Sequence, residues 1–138
     1  MAVAIAYKPD RLTFYRGYSW DFTAQIQTPD PLNPKVLVVP SITGWTAELE
    51  IRDEKKVRKV RLQTSPAPPG APSATTDGTI VVDTVNNWFS IQFSSTAEAL
   101  ADGAYLIEAR AFDGSGTPWP LIPVRPCDII QTVLIGGS

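Results

Sequence analysis

The strongest constraint on the fold is a pair of alternating runs separated by Gly17: Leu12-Thr13-Phe14-Tyr15-Arg16 and Trp20-Asp21-Phe22-Thr23-Ala24-Gln25-Ile26-Gln27. In the second run Trp20, Phe22, Ala24 and Ile26 share one face, while Asp21, Thr23, Gln25 and Gln27 share the other. That is the period of a strand with one wet side. A helix of the same residues would scatter its apolar side chains around the axis.

The same alternation recurs along the chain. Trp45, Ala47, Leu49 and Ile51 alternate with Thr46, Glu48, Glu50 and Arg52, and after Asp53-Glu54-Lys55-Lys56 the pattern resumes with Val60 and Leu62 against Lys59 and Arg61. This predicts a charged hairpin. Residues 79–83 and 88–93 read as two more strands, Tyr105 to Ala111 as another, Asp113-Gly114-Ser115-Gly116 as a hairpin turn, and 129–135 as the closing strand. Ser95-Thr96-Ala97-Glu98 has the spacing of a capping box and predicts one helical turn, stopped by Asp102-Gly103. The 13 prolines penalise helices and mark loops. They concentrate at 28–34, a stiff connection, and in 64–76, a long exposed loop that includes Pro68 and Pro69.

These elements predict one all-β domain over 1–138, an immunoglobulin-like β-sandwich of about seven to nine antiparallel strands, with a jelly roll or closed barrel as the alternative. A length of 138 residues suits a single core. The first residues, 1–9, form either an edge strand or an arm onto a neighbouring subunit, with Val3, Ile5 and Tyr7 on one face. They lack a basic leader, and no apolar run approaches the roughly 18 residues of a membrane span. A soluble protein made in a cytoplasm is therefore expected. A net charge of -2 gives no drive toward nucleic acid or an anionic membrane.

The absence of histidine removes the commonest general base and zinc ligand, and the single cysteine, Cys127, provides no thiolate cluster. No cofactor, metal or catalytic residue is expected. Glu48 and Glu50 share the outer strand face, where two solvated carboxylates are expected rather than an acid and a nucleophile. Asp53, Asp77, Asp102 and Asp113 sit at turns, where bonding to their own backbone explains them better than calcium does. Arg52, Lys55, Lys56, Arg58, Lys59 and Arg61 form a basic stretch, expected as a solvated hairpin tip, with a protein contact as the alternative reading and nucleic acid well behind. Trp119, between Pro118 and Pro120, reads as a loop residue divided evenly between subunit packing and packing on its own domain, with glycan stacking behind both.

Three segments together carry a resemblance. They are Leu12-x-Phe14-x-x-Gly17-x-x-Trp20-x-Phe22, then Gly44-Trp45-x-Ala47-x-Leu49-x-Ile51-Arg52, then Phe89-x-Ile91-x-Phe93 followed by Ser95-Thr96 and Leu100-x-x-Gly103-x-Tyr105. In that order they resemble small tailed-bacteriophage virion proteins, in particular the immunoglobulin-like module at the N-terminus of phage baseplate upper proteins. The resemblance implies a non-enzymatic structural protein of the virion. It would be an oligomeric module, trimer or hexamer, in the tail, baseplate or fibre attachment, with other virion proteins as partners and neither nucleic acid nor membrane among them. A capsid decoration (cement) protein and a carbohydrate-binding or adhesion module are the alternatives. Contacts are expected at Val3, Ile5, Tyr7, Lys55, Lys56, Arg58, Pro68, Pro69 and Trp119.

Overall fold

The computed structural model describes residues 12–16, 18–72 and 77–131, with residues 4–5 placed as backbone. Eleven strands and one helical turn follow in chain order: β1 (Ala4–Ile5), β2 (Leu12–Tyr15), β3 (Phe22–Ala24), β4 (Ile26–Pro29), β5 (Leu37–Val38), β6 (Thr46–Arg52), β7 (Arg58–Gln63), β8 (Gly78–Asp83), β9 (Trp88–Phe93), α1 (Ser95–Glu98), β10 (Gly103–Phe112) and β11 (Pro118–Ile130). A five-stranded sheet of order β2-β11-β10-β6-β7 and a three-stranded sheet of order β3-β9-β8 form the layers, and β1-β4-β5 extends the strand that β3 begins. Both principal sheets are open, so the molecule is a sandwich and not a closed barrel. In the long sheet β11, β10 and β6 take the places of strands G, F and C of an immunoglobulin-like fold, with β2 and β7 added at its two edges, and the short sheet takes those of B, E and D.

The core lies between these layers. Leu49, Ile51, Leu62, Ile107 and Leu121 from the long sheet meet Ala24, Ile80, Phe89 and Ile91 from the short one, all buried. One end is closed by aromatics: Phe14 stacks on Trp20 at 4.9 Å, and the edge of Phe93 meets Trp20 at 5.5 Å. Tyr105 Oη donates to the Ala101 carbonyl at 2.7 Å, bonding back to a residue just upstream as the tyrosine corner of these sandwiches does.

All principal pairings are antiparallel except β2 with β11, which run parallel from Leu12↔Cys127 to Tyr15↔Ile130. A parallel pair needs a crossover connection, and here nearly the whole domain supplies it. The strand expected over 129–135 starts much earlier, at Pro118, and residues 132–135 lie outside those described. Prolines 118, 120, 123 and 126 are compatible with a strand because β2 joins β11 only from Cys127 onward. Along the preceding stretch β11 pairs with β10 alone, and a proline has no N–H to leave unpaired on the open side.

The helical turn forms, but its cap sits one residue earlier than the sequence pattern implies. Ser94 is the N-cap, its hydroxyl accepting from Ala97 N at 3.3 Å. Glu98 then lies too far along to close a capping box, and its Oε2 accepts instead from Trp20 N at 3.0 Å, tying α1 to the start of the second run.

Candidate functional site

The densest polar constellation lies on the outer face of the long sheet. Glu48, Glu50 and Arg52 project from β6, and the β6–β7 register sets Arg61 directly opposite Glu50 and Gln63 opposite Glu48. The Arg61 guanidinium is held on three sides: Nη1 donates to Glu50 Oε2 at 2.7 Å, Nη2 to Glu48 Oε1 at 2.8 Å, and Nε to Gln63 Oε1 at 3.1 Å. Its side chain is only 4% exposed. Arg110, from β10, donates to the second oxygen of Glu48 at 2.5 Å, while Arg52 pairs with Glu50. Burial pushes the Glu50 carboxyl up, but hydrogen bonds and charge from Arg52 and Arg61 together hold it below its ordinary value.

The proline-rich loop forms a roof over this cluster. Thr64 Oγ1 donates to the Pro66 carbonyl at 2.9 Å, and Gln63 Nε2 donates to the Pro72 carbonyl at 3.2 Å. Residues 69–72 then wall a cleft of about 410 Å³ above Glu48, Glu50 and Arg61. The expected exposed loop is found over most of its described part, with Ser65, Pro66, Ala67, Pro69, Gly70 and Pro72 exposed, while Pro68 is buried. Glu48 and Glu50 do share the outer face, yet they are partly buried and ion-paired rather than solvated. Facing strands with opposite charges at matching positions account for this correction. In this setting the carboxylates serve as counterions, and Glu50 is held below its ordinary value, the opposite of what a general acid needs.

The remaining expected residues fall elsewhere. Lys55 and Lys56 are exposed at the β6–β7 turn, Arg58 is exposed with Nη1 3.7 Å from Glu50, and Arg61 leaves the basic stretch for the sheet face. Trp119 is not a loop residue. It lies in β11, packs against Trp45 with ring centroids 5.8 Å apart, and donates its indole N–H to Asp113 Oδ2 at 3.1 Å. Ile5 lies in β1, its backbone paired with Ile26, while Val3 and Tyr7 lie outside the described residues.

The acidic turns bind their own chain. Asp53 Oδ1 accepts from Lys55 N and Val57 N, and Asp113 Oδ1 from Ser115 N and Thr117 N. Asp77 acts differently: its Oδ2 accepts from Arg61 N at 3.0 Å and its carbonyl from Ser94 N at 2.7 Å, joining β7 to the opposite layer. Gly78 beside it has φ +144, and a Cβ there would lie 2.1 Å from the Gln92 carbonyl oxygen.

Sequence reasoning missed two apolar features. Leu32 is 96% exposed at the tip of the loop between β4 and β5, with Val36 and Leu37 also exposed beside it. Val124 is 58% exposed on β11. The three prolines flanking Leu32 carried a signal, since they stiffen a loop around an apolar residue that has nowhere of its own to go.

No protein-family model matches the chain, and no curated protein does. Among solved structures, the periplasmic chaperone SfaE aligns over 97% of this chain at 9% identity, with a TM-score of 0.43. The chain spans 60% of the length of that structure.

Proposed function

We propose that the protein is a non-enzymatic structural component of a tailed-phage virion, an oligomeric assembly module of the tail, baseplate or fibre attachment. Capsid decoration is the alternative placement within the particle. The sequence resemblance supplies the class of protein. The observation that carries the reading is how the domain uses its polar groups. Arg61 is closed off by Glu48, Glu50 and Gln63, Asp53 and Asp113 cap their own turns, and Trp119 is bonded to Asp113. What remains for a partner is a stiff scaffold carrying exposed apolar side chains at Leu32, Val85 and Val124. Affinity in such an assembly accumulates over many copies, each contact being small.

The adhesion reading needs an aromatic platform facing solvent. It is weakened by the packing of Trp119 on Trp45. The test is direct: antibody raised against the purified chain should label particles of the phage that encodes it, and light scattering should give a trimer or hexamer. Particles that carry none of the protein would overturn the proposal.

A further inference from the structure

We infer that the chain associates head to tail with itself, the Leu32 loop of one copy seating in an apolar pocket on the outer sheet face of the next. This rests on the oligomeric part of the proposed function, though not on its placement in a virion. The loop is built as a preformed knob. Asp30 Oδ1 accepts from Leu32 N at 2.9 Å, Asn33 N donates to the Asp30 carbonyl, and Val36 N donates to the Asn33 carbonyl at 2.9 Å. Asp30 N closes the loop by donating to the Val36 carbonyl at 2.8 Å. With Pro29, Pro31 and Pro34 fixing the backbone as well, little conformational entropy remains to be lost when Leu32 is buried.

The receiving pocket arises from an irregularity in the β10–β11 ladder. Ile107 pairs with Arg125 and Ala109 with Ile122, so β11 sets two residues, Pro123 and Val124, opposite the single Glu108 of β10. A bulge of this kind re-aims side chains. Val124 stands exposed in it, and together with Leu106 it forms the apolar part of a pocket of about 220 Å³. That is room for a leucine side chain. The rim carries Glu50, Arg52, Lys56 and Glu108, of which Glu50 and Arg52 pair with each other and Lys56 and Glu108 are left to face a partner, and the knob carries Asp30 and Lys35 on either side of Leu32. Both signs of charge on the knob therefore meet a counterpart on the rim.

Because knob and pocket are different surfaces of one chain, the contact is heterologous and generates a ring where its rotation closes, or an open filament where it does not. This geometry dictates a mixing experiment by sedimentation velocity. Leu32→Asp and Val124→Glu alter exposed positions, so both variants should keep the wild-type circular dichroism spectrum. Each should lower the association constant by about tenfold or more, the scale of losing one buried leucine. Mixed together, they should form a one-to-one dimer, because the first retains an intact pocket and the second an intact knob. Wild-type protein that stays monomeric, variants that associate like wild type, or a mixture that stays monomeric would each overturn the inference. A confirmed dimer with no protein in phage particles would leave the inference standing and sink the virion reading.

Discussion

The β6–β7 and β10–β11 hairpins are closed by the same five-residue turn, which makes a controlled comparison of one side chain. In both, an aspartate heads the turn: Asp53 N and Asp113 N donate to the carbonyls of Val57 and Thr117, and Lys56 N and Gly116 N donate back at 2.9 Å. The fourth residue is left-handed in each, Gly116 at φ 82 and Lys56 at φ 65. Glycine adopts that region freely, whereas a side chain with a Cβ is strained there by about 1 kcal/mol. Lys56→Gly should therefore stabilise the domain by about 0.5 kcal/mol, part of the relief being offset by the greater freedom of glycine in the unfolded chain. Gly116→Ala should destabilise it by about 1 kcal/mol. Urea midpoints should move in opposite directions for the two variants, and movement in the same direction would refute the strain argument. The turn aspartates were legible in the sequence because their bonding is local, but the conformation of Lys56 was not, since lysine carries no signal for positive φ.

Between elements, the register of β6 with β7 is what turns a basic stretch into a buried ion cluster. Arg61 sits opposite Glu50, so the charge that reads as part of a solvated tip is enclosed once the hairpin closes. Enclosure makes its loss asymmetric. In Arg61→Met, Glu48 keeps Arg110 and Glu50 keeps Arg52, and a methionine can fill the space, so a cost of about 1 kcal/mol is expected. In the double variant Glu48→Gln/Glu50→Gln the guanidinium stays buried while losing the two carboxylates that pair with it on the sheet face, and the cost should be about 3 kcal/mol. Denaturant unfolding distinguishes the two, and equal costs would mean that Arg61 is not enclosed in solution. The hairpin itself was legible from alternation around Asp53 to Lys56. The N-terminal half of β11 was not, because four prolines obscure a strand unless it is known that one side of that stretch has no partner.

For the whole molecule, alternation reveals which side chains face inward, so the two-layer sandwich could be read from the chain. Sheet order could not. It depends on pairings such as Leu12 with Cys127 that nothing local encodes, and the roof over Arg61 depends on Gln63 donating to the Pro72 carbonyl. The ionic part of the fold then sets its response to acid. Glu50 is held below its ordinary value of 4.5, where the pull of Arg52 and Arg61 outweighs burial, and Asp53, Asp83 and Asp113 are held below 3.8 chiefly by hydrogen bonds from Val57, Asn86 and Trp119 respectively. A carboxyl whose folded value is depressed binds its proton more readily in the unfolded chain. Its stabilisation is complete above the unfolded value and disappears as pH falls through the folded one. Thermal stability should therefore begin to fall as pH drops below about 5 and continue falling beneath the ordinary carboxyl range. Between about pH 5.5 and 7.5 it should stay flat, because the chain has no histidine to titrate there. Glu50→Gln should make the acid slope shallower while lowering stability at neutral pH. Calorimetry across pH 2.5 to 7.5 on both proteins tests this, and parallel curves would mean that Glu50 contributes nothing to the acid response.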